Sequence, residues 1–211
     1  FLSLLLLGTL IIPVAYAADS TSKTTTTTKK ESTTGNGSVQ GYAADAPIQV
    51  STIVQLAPKD NYKVLPATSD KEQQMYGVVV DPHLLSLTIS DTTLKYEVYV
   101  ATSGTYDVLV SSQGGAIKPG DDVALSSIDG VAMHGGTTTT TFFGRALEGF
   151  DGKANVVGGT TLKDKAGKEI AKVTLGVVQV AIKVQRNPKV RSTKANLPNA
   201  LQRVGEAVAE K

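Results

Sequence analysis

His83 and His134 are the only histidines in a chain of 211 residues that has no cysteine. A cysteine nucleophile, a thiolate metal site and a disulfide framework are therefore excluded. For acyl chemistry the sequence offers Ser126-Ser127 close to Asp129, with His134 further along as a base, and separately Ser69-Asp70. A serine activated by an imidazole, itself oriented by a carboxylate, is the arrangement that self-cleavage would need. The chain has no Gly-x-Ser-x-Gly elbow to present a serine to an external substrate. Serines in a Ser-Ser-Ile-Asp-Gly stretch more often bond to nearby backbone in a turn, and that is the expectation here.

Asp121, Asp122 and Asp129 are the candidate metal ligands, because carboxylate oxygens suit a hard cation such as calcium and two turns could bring them together. The Asp-x-Asp-x-Asp-Gly spacing of a calcium loop is absent, so turn-forming aspartates are expected and no cofactor is assigned. His83 follows Asp81-Pro82 and His134 precedes Gly135-Gly136, without the spacing of a zinc motif, so both are read as solvated loop histidines. Gly159 and Gly167-Lys168 have the wrong spacing for a phosphate loop, and Glu169 stands where a magnesium-binding hydroxyl belongs. The formal net charge is +2, from 21 basic and 19 acidic residues, and the folded part has no basic run. Nucleic acid is accordingly not an expected partner.

The elements that would position these residues begin late in the chain. Phe1 to Val14 is almost uninterrupted apolar sequence, followed by Ala15-Tyr16-Ala17. That is the apolar core and small-x-small site of a signal peptide, too short for the roughly 20 residues needed to span a bilayer. Cleavage is expected after Ala17. With no Met and no basic segment ahead of Phe1, the sequence is expected to start inside a longer reading frame. Asp19 to Gly41, with its threonine run Thr24 to Thr28, has few bulky apolar side chains and reads as a disordered tether. Asn36-Gly37-Ser38 matches a glycosylation acceptor triplet and is read as spacer.

From about Ala46 the sequence turns to short β-branched runs punctuated by Gly, Pro, Asp and Ser. Strands are expected at Ile48 to Leu56, Lys63 to Leu65 and Met75 to Val80, the last stopped by Asp81-Pro82. In Lys95 to Val100, Tyr96, Val98 and Val100 share one face while Lys95 and Glu97 take the other. Thr102-Ser103-Gly104 would turn this strand into a hairpin with Tyr106, Val108 and Val110. Pro119-Gly120 fits the centre of a type II turn. Val123 to Leu125, Val131 to Met133 and Phe142 to Ala146 follow as strands, with Gly130, Gly135-Gly136 and Gly144 at bends.

Thr137 to Thr141, ahead of Phe142-Phe143, is either an exposed edge or, by default, a loop leading into a buried strand. Gly149 to Gly167 is a long loop or a projecting hairpin. Val173 to Gln185, with Val178, Val180, Ile182 and Val184 on one face, is the longest strand and fits a central or closing position. Asn187-Pro188 ends it. Leu197, Ala200, Leu201, Val204, Ala207 and Val208 then recur at helical spacing, giving a short amphipathic helix whose stripe would pack on the domain, a partner or a membrane surface.

Four pieces occur in order between Tyr76 and Glu148: Tyr76 to Pro82, Gly115 to Asp121, Ser126 to Met133, and Gly144 to Glu148. In that order they are similar to a β-rich domain of bacterial surface and phage appendage proteins related to the peptidase G2 type, an autoprocessing module. The resemblance covers roughly a third of the chain and implies a β fold in an extracytoplasmic setting. It fixes no proteolytic residue, because no local signature here places one.

The sequence therefore predicts a mainly β protein, a small barrel or sandwich of short antiparallel strands with a C-terminal amphipathic helix. Residues 1–17 form the signal peptide, 18–45 the linker, 46–188 the β-domain and 189–211 a helical tail that would lead to a membrane anchor beyond Lys211. The expected function is that of an exported, non-enzymatic cell-envelope or surface module. Its partner would be a protein or envelope component, with self-association through the tail. The alternative is an autoproteolytic processing domain.

Overall fold

The computed structural model describes residues 37–84, 95–163 and 166–190. The expected leader, the tether up to residue 36 and the C-terminal helix lie outside the described residues. What is described is mainly β and forms two sheets.

The first sheet contains β1 (Val39–Ala43), β2 (Ile53–Ala57), β3 (Asp60–Pro66), β4 (Met75–Val80) and β5 (Glu97–Ala101). Its order is β1-β3-β2-β4-β5, and β5 pairs back to β1 along the whole length of β1, from Val39 opposite Ala101 to Ala43 opposite Glu97. The five strands thus pair in a cycle. The folded part begins earlier than position 46: β1 lies inside the stretch read as linker. Its apolar content is modest, but Tyr42 is buried, and the strand closes the gap between β3 and β5.

The second sheet contains β6 (Gly104–Ser111), β7 (Asp122–Leu125), β8 (Ala132–His134), β9 (Thr141–Ala146), β10 (Val156–Lys163) and β11 (Glu169–Arg186). The order is β10-β11-β6-β8-β7-β9, with β9 returning to β11. The 18-residue β11 organises it. One edge of β11 carries β10 and then β9, and the other carries β6 over Leu175 to Ile182. The longest expected strand is indeed both central and closing, and Gly149 to Gly167 contributes a projecting hairpin through β10. Most ladders are antiparallel; β1 with β3 and β6 with β8 are parallel, each at a single residue pair.

Further features differ from the sequence pattern. The expected strand Ile48 to Leu56 begins only at Ile53, because Ser51, at φ +71, turns the chain just ahead of it. β5 and β6 are consecutive but do not form a hairpin: β5 pairs with β1 and β4, and β6 with β11 and β8. The segment entering β1 occupies the turn, since Thr102 N–H donates to Ser38 O and Ser38 N–H to Ser103 Oγ. With β1 along its edge, β5 has no ladder left for β6, and Gly104, at φ +99, sends the chain into the other sheet. Gly144 is not at a bend but buried in β9, where its missing Cβ lets the Ala181 carbonyl of β11 approach closely.

The core explains why the strands of the first sheet lack a clean alternation. Val98 and Val100 join Tyr42, Val54, Val64 and Val79 in one cluster. Tyr99 and Ala101, from the opposite face of β5, join Val78, Val80, Val108, Val110, Phe143, Val178 and Val180 in a second cluster drawn from both sheets. Both faces of β4 and β5 are therefore apolar, as expected of strands covered on each side.

Candidate functional site

Four of the residues with chemistry, Asp121, Asp122, His134 and Arg145, meet at one end of the second sheet. Pro119-Gly120 makes the expected turn: Asp121 N–H donates to Lys118 O at 3.0 Å, and Gly120 has φ +91, the sign a type II turn requires. The Asp121 carboxylate folds back to accept the Lys118 N–H at 2.8 Å. This turn delivers Asp121 and Asp122 to the start of β7, beside the end of β8, where Val123 pairs with His134.

His134 is consequently not a loop histidine. It ends a strand, half-buried, with Nε2 3.5 Å from Asp121 Oδ2. Asp122 Oδ1 meets Arg145 of β9 at 3.4 Å, and Asp122 and Arg145 are themselves register partners. His83 lies exposed in a separate 3-10 turn, Pro82–Leu84.

The serine candidates stand elsewhere. Ser126 N–H bonds to Val131 O beyond the far end of the β7–β8 ladder, so Ser126 is separated from His134 by about 10 Å of strand. Ser126 is 1% exposed, and its hydroxyl is used locally, accepting from Ile128 N–H at 3.1 Å and donating to Ile128 O at 3.3 Å. Ser127 bonds to Gln113 Oε1 through both N–H and hydroxyl. Asp129 is exposed in the same turn as these serines. Ser126, Ser127, Asp129 and His134 therefore do not assemble, since the β7–β8 ladder holds the base and the hydroxyls at opposite ends. Ser69 and Asp70 lie in the 3-10 turn Ser69–Gln74, with Asp70 fully exposed.

The metal candidates part for the same reason: Asp121 and Asp122 are at one end and Asp129 at the other. Among the described residues no group of three or more His, Asp or Glu side chains could hold a metal ion.

Sequence reasoning missed Arg145, Gln185, Asn187 and Lys189 as partners in this region. With Asp122 and Phe142 they line a cleft of ≈ 360 Å³ beside the Asp122–Arg145 pair. Asn187, 2% exposed, is its fixed wall: Nδ2 donates to Thr139 O at 2.8 Å, and Oδ1 accepts Lys189 N–H at 2.9 Å. The Asn187-Pro188 dipeptide signalled a strand end but carried no sign that the amide would clamp the Thr137 to Thr141 loop. That loop leads into the buried Phe142 and Phe143, as its default reading had it.

Chemically, the cleft offers polar recognition. A guanidinium has five N–H donors, and that of Arg145, 62% exposed, uses one of them on Asp122. An imidazole can move a proton only where a reacting group comes within hydrogen-bond reach, and neither Ser126 nor Ser127 does.

Fold and cleft together define only a class: a two-sheet, mainly β protein with a polar hollow at one end of its second sheet. No family model matches the chain, and no curated protein matches it.

Proposed function

We propose that this protein is an exported, non-enzymatic module of the cell envelope or surface, whose β-domain stands off on a Thr-rich tether and meets other macromolecules. The observation that carries the setting is the apolar run Phe1 to Val14, closed by Ala15-Tyr16-Ala17. The likeness of Tyr76 to Glu148 to surface and appendage domains supports the same setting.

The separation of Ser126 and Ser127 from His134 supports a binding role over self-processing. In this reading the two strand cycles act as small barrels packed together through one apolar cluster, a rigid scaffold that holds the loops and the exposed hairpin in place. The stripe Leu197 to Val208 would rest on a partner or a lipid surface.

Fractionation of cells expressing the full reading frame, with intact-mass measurement of the product, tests this. The expected result is one species outside the cytoplasmic membrane, cut after Ala17. A cytosolic product with its leading leucines intact overturns the location. A spontaneous cut within the β-domain overturns the non-catalytic reading.

A further inference from the structure

Among the described strands, β10 is the one with an open edge. One of its edges pairs with β11, and the other pairs with nothing among the described residues. Five consecutive residues, Val156 to Thr160, are exposed, Val157 at 62%. An open strand edge is a template for another strand, and proteins usually blunt it with an internal charge or a proline. Between Val156 and Leu162 there is neither, Lys163 is the only charge in the strand, and the two register shifts in its ladder with β11 fall at the ends, leaving Gly158 to Leu162 regular.

From this we infer that β10 is the dimerisation edge of the protein, pairing antiparallel with β10 of a second copy about a two-fold axis near Gly159 and Thr160. The charge pattern selects the partner and the direction. In that arrangement neutral residues face neutral residues, and the two Lys163 side chains fall about 20 Å or more apart, well beyond the screening length of about 8 Å. A parallel pairing would instead set Lys163 against Lys163. A foreign peptide would need pockets to select its side chains, whereas Gly158 has no atom near the position its Cβ would occupy. A two-fold, by contrast, uses one self-complementary edge twice. The joined sheet would run β11-β10-β10-β11 across the two copies.

The inference names a partner for the module proposed above but needs nothing of its location. It is read on purified full-length chain, so its failure is distinct from a failure of the fractionation experiment. A single-strand contact is small, so sedimentation velocity should show a concentration-dependent dimer with a dissociation constant on the order of micromolar.

Thr160→Lys places like charges together at the axis and should weaken the dimer roughly tenfold or more. Gly158→Lys should do the same, with unchanged circular dichroism in both variants. Mixing Thr160→Lys with Thr160→Glu should restore association. Because the native chain has no cysteine, Thr160→Cys or Gly159→Cys should cross-link between copies under mild oxidation, and Tyr62→Cys, at an exposed position on the first sheet, should not. A chain that stays monomeric up to about 1 mM overturns the inference. So does a dimer indifferent to both lysine variants, or an edge that takes up added extended peptides but not a second copy.

Discussion

The hydroxyls of Tyr42 and Tyr76 lie 2.6 Å apart, and their rings meet edge to face at 5.6 Å between centroids. The contact joins β1 to β4 across the intervening β5, so the strand that completes the first cycle is held by a side-chain bond as well as by its ladder. Replacing Tyr42 by Phe keeps the ring packing and removes the bond. The expected cost is about 1 kcal/mol in chemical denaturation, whereas Tyr42→Ala, which also empties the site, should cost about 3 kcal/mol or more. Equal losses from the two variants would mean that the hydroxyl pair, not the ring, holds β1.

Burial first, and then the hydrogen bond to Tyr76, push the Tyr42 phenol well above the ordinary tyrosine range. The folded state therefore holds this proton more tightly than the unfolded chain does. The resulting stability is fully present below about pH 10, the unfolded tyrosine value, and is lost as pH rises beyond it. Spectrophotometric titration should show a late tyrosine ionisation that coincides with unfolding, and Tyr42→Phe should remove that late step.

Gly144 should not tolerate a methyl group. A Cβ there would press on the Ala181 carbonyl and come within 2.8 Å of Val180 Cγ1. Gly144→Ala is expected to lower stability by about 1–3 kcal/mol, measured as a fall in the denaturation midpoint. Gly158→Ala, where the added methyl meets open space, serves as the control and should change stability little.

Ser126→Ala removes both hydroxyl bonds to Ile128 and leaves a half-buried N–H without its acceptor. A loss of about 1–2 kcal/mol is expected, with no change in the intact mass of the chain during storage. His134→Ala should likewise leave the mass unchanged and cost less stability, since its contact with Asp121 is long and partly solvated.

Much of the strand pattern was legible in the residues. Met75 to Val80 and the strand after Pro119-Gly120 fall where β-branched runs and turn chemistry put them. The long run to Gln185 is the spine of the second sheet, as expected of an apolar period of two that outlasts its neighbours. These features are local: a turn needs only its own glycine, and a strand only its own alternation.

Partnership between strands was decided by the tertiary structure alone. Lys95 to Val110 looks like a hairpin, yet the β5 edge is taken by β1, which is remote in sequence and carries too little apolar content to announce itself. The second sheet then covers Tyr99 and Ala101, on the face of β5 where Glu97 suggested solvent. For the same reason Ser126 and His134, close in the sequence, are held apart by a short ladder, while Arg145 and Asn187 meet Asp122 around one cleft. Residue type and spacing specify what a segment does by itself; which surfaces meet depends on burying apolar area across the whole chain, a sum that no single segment contains.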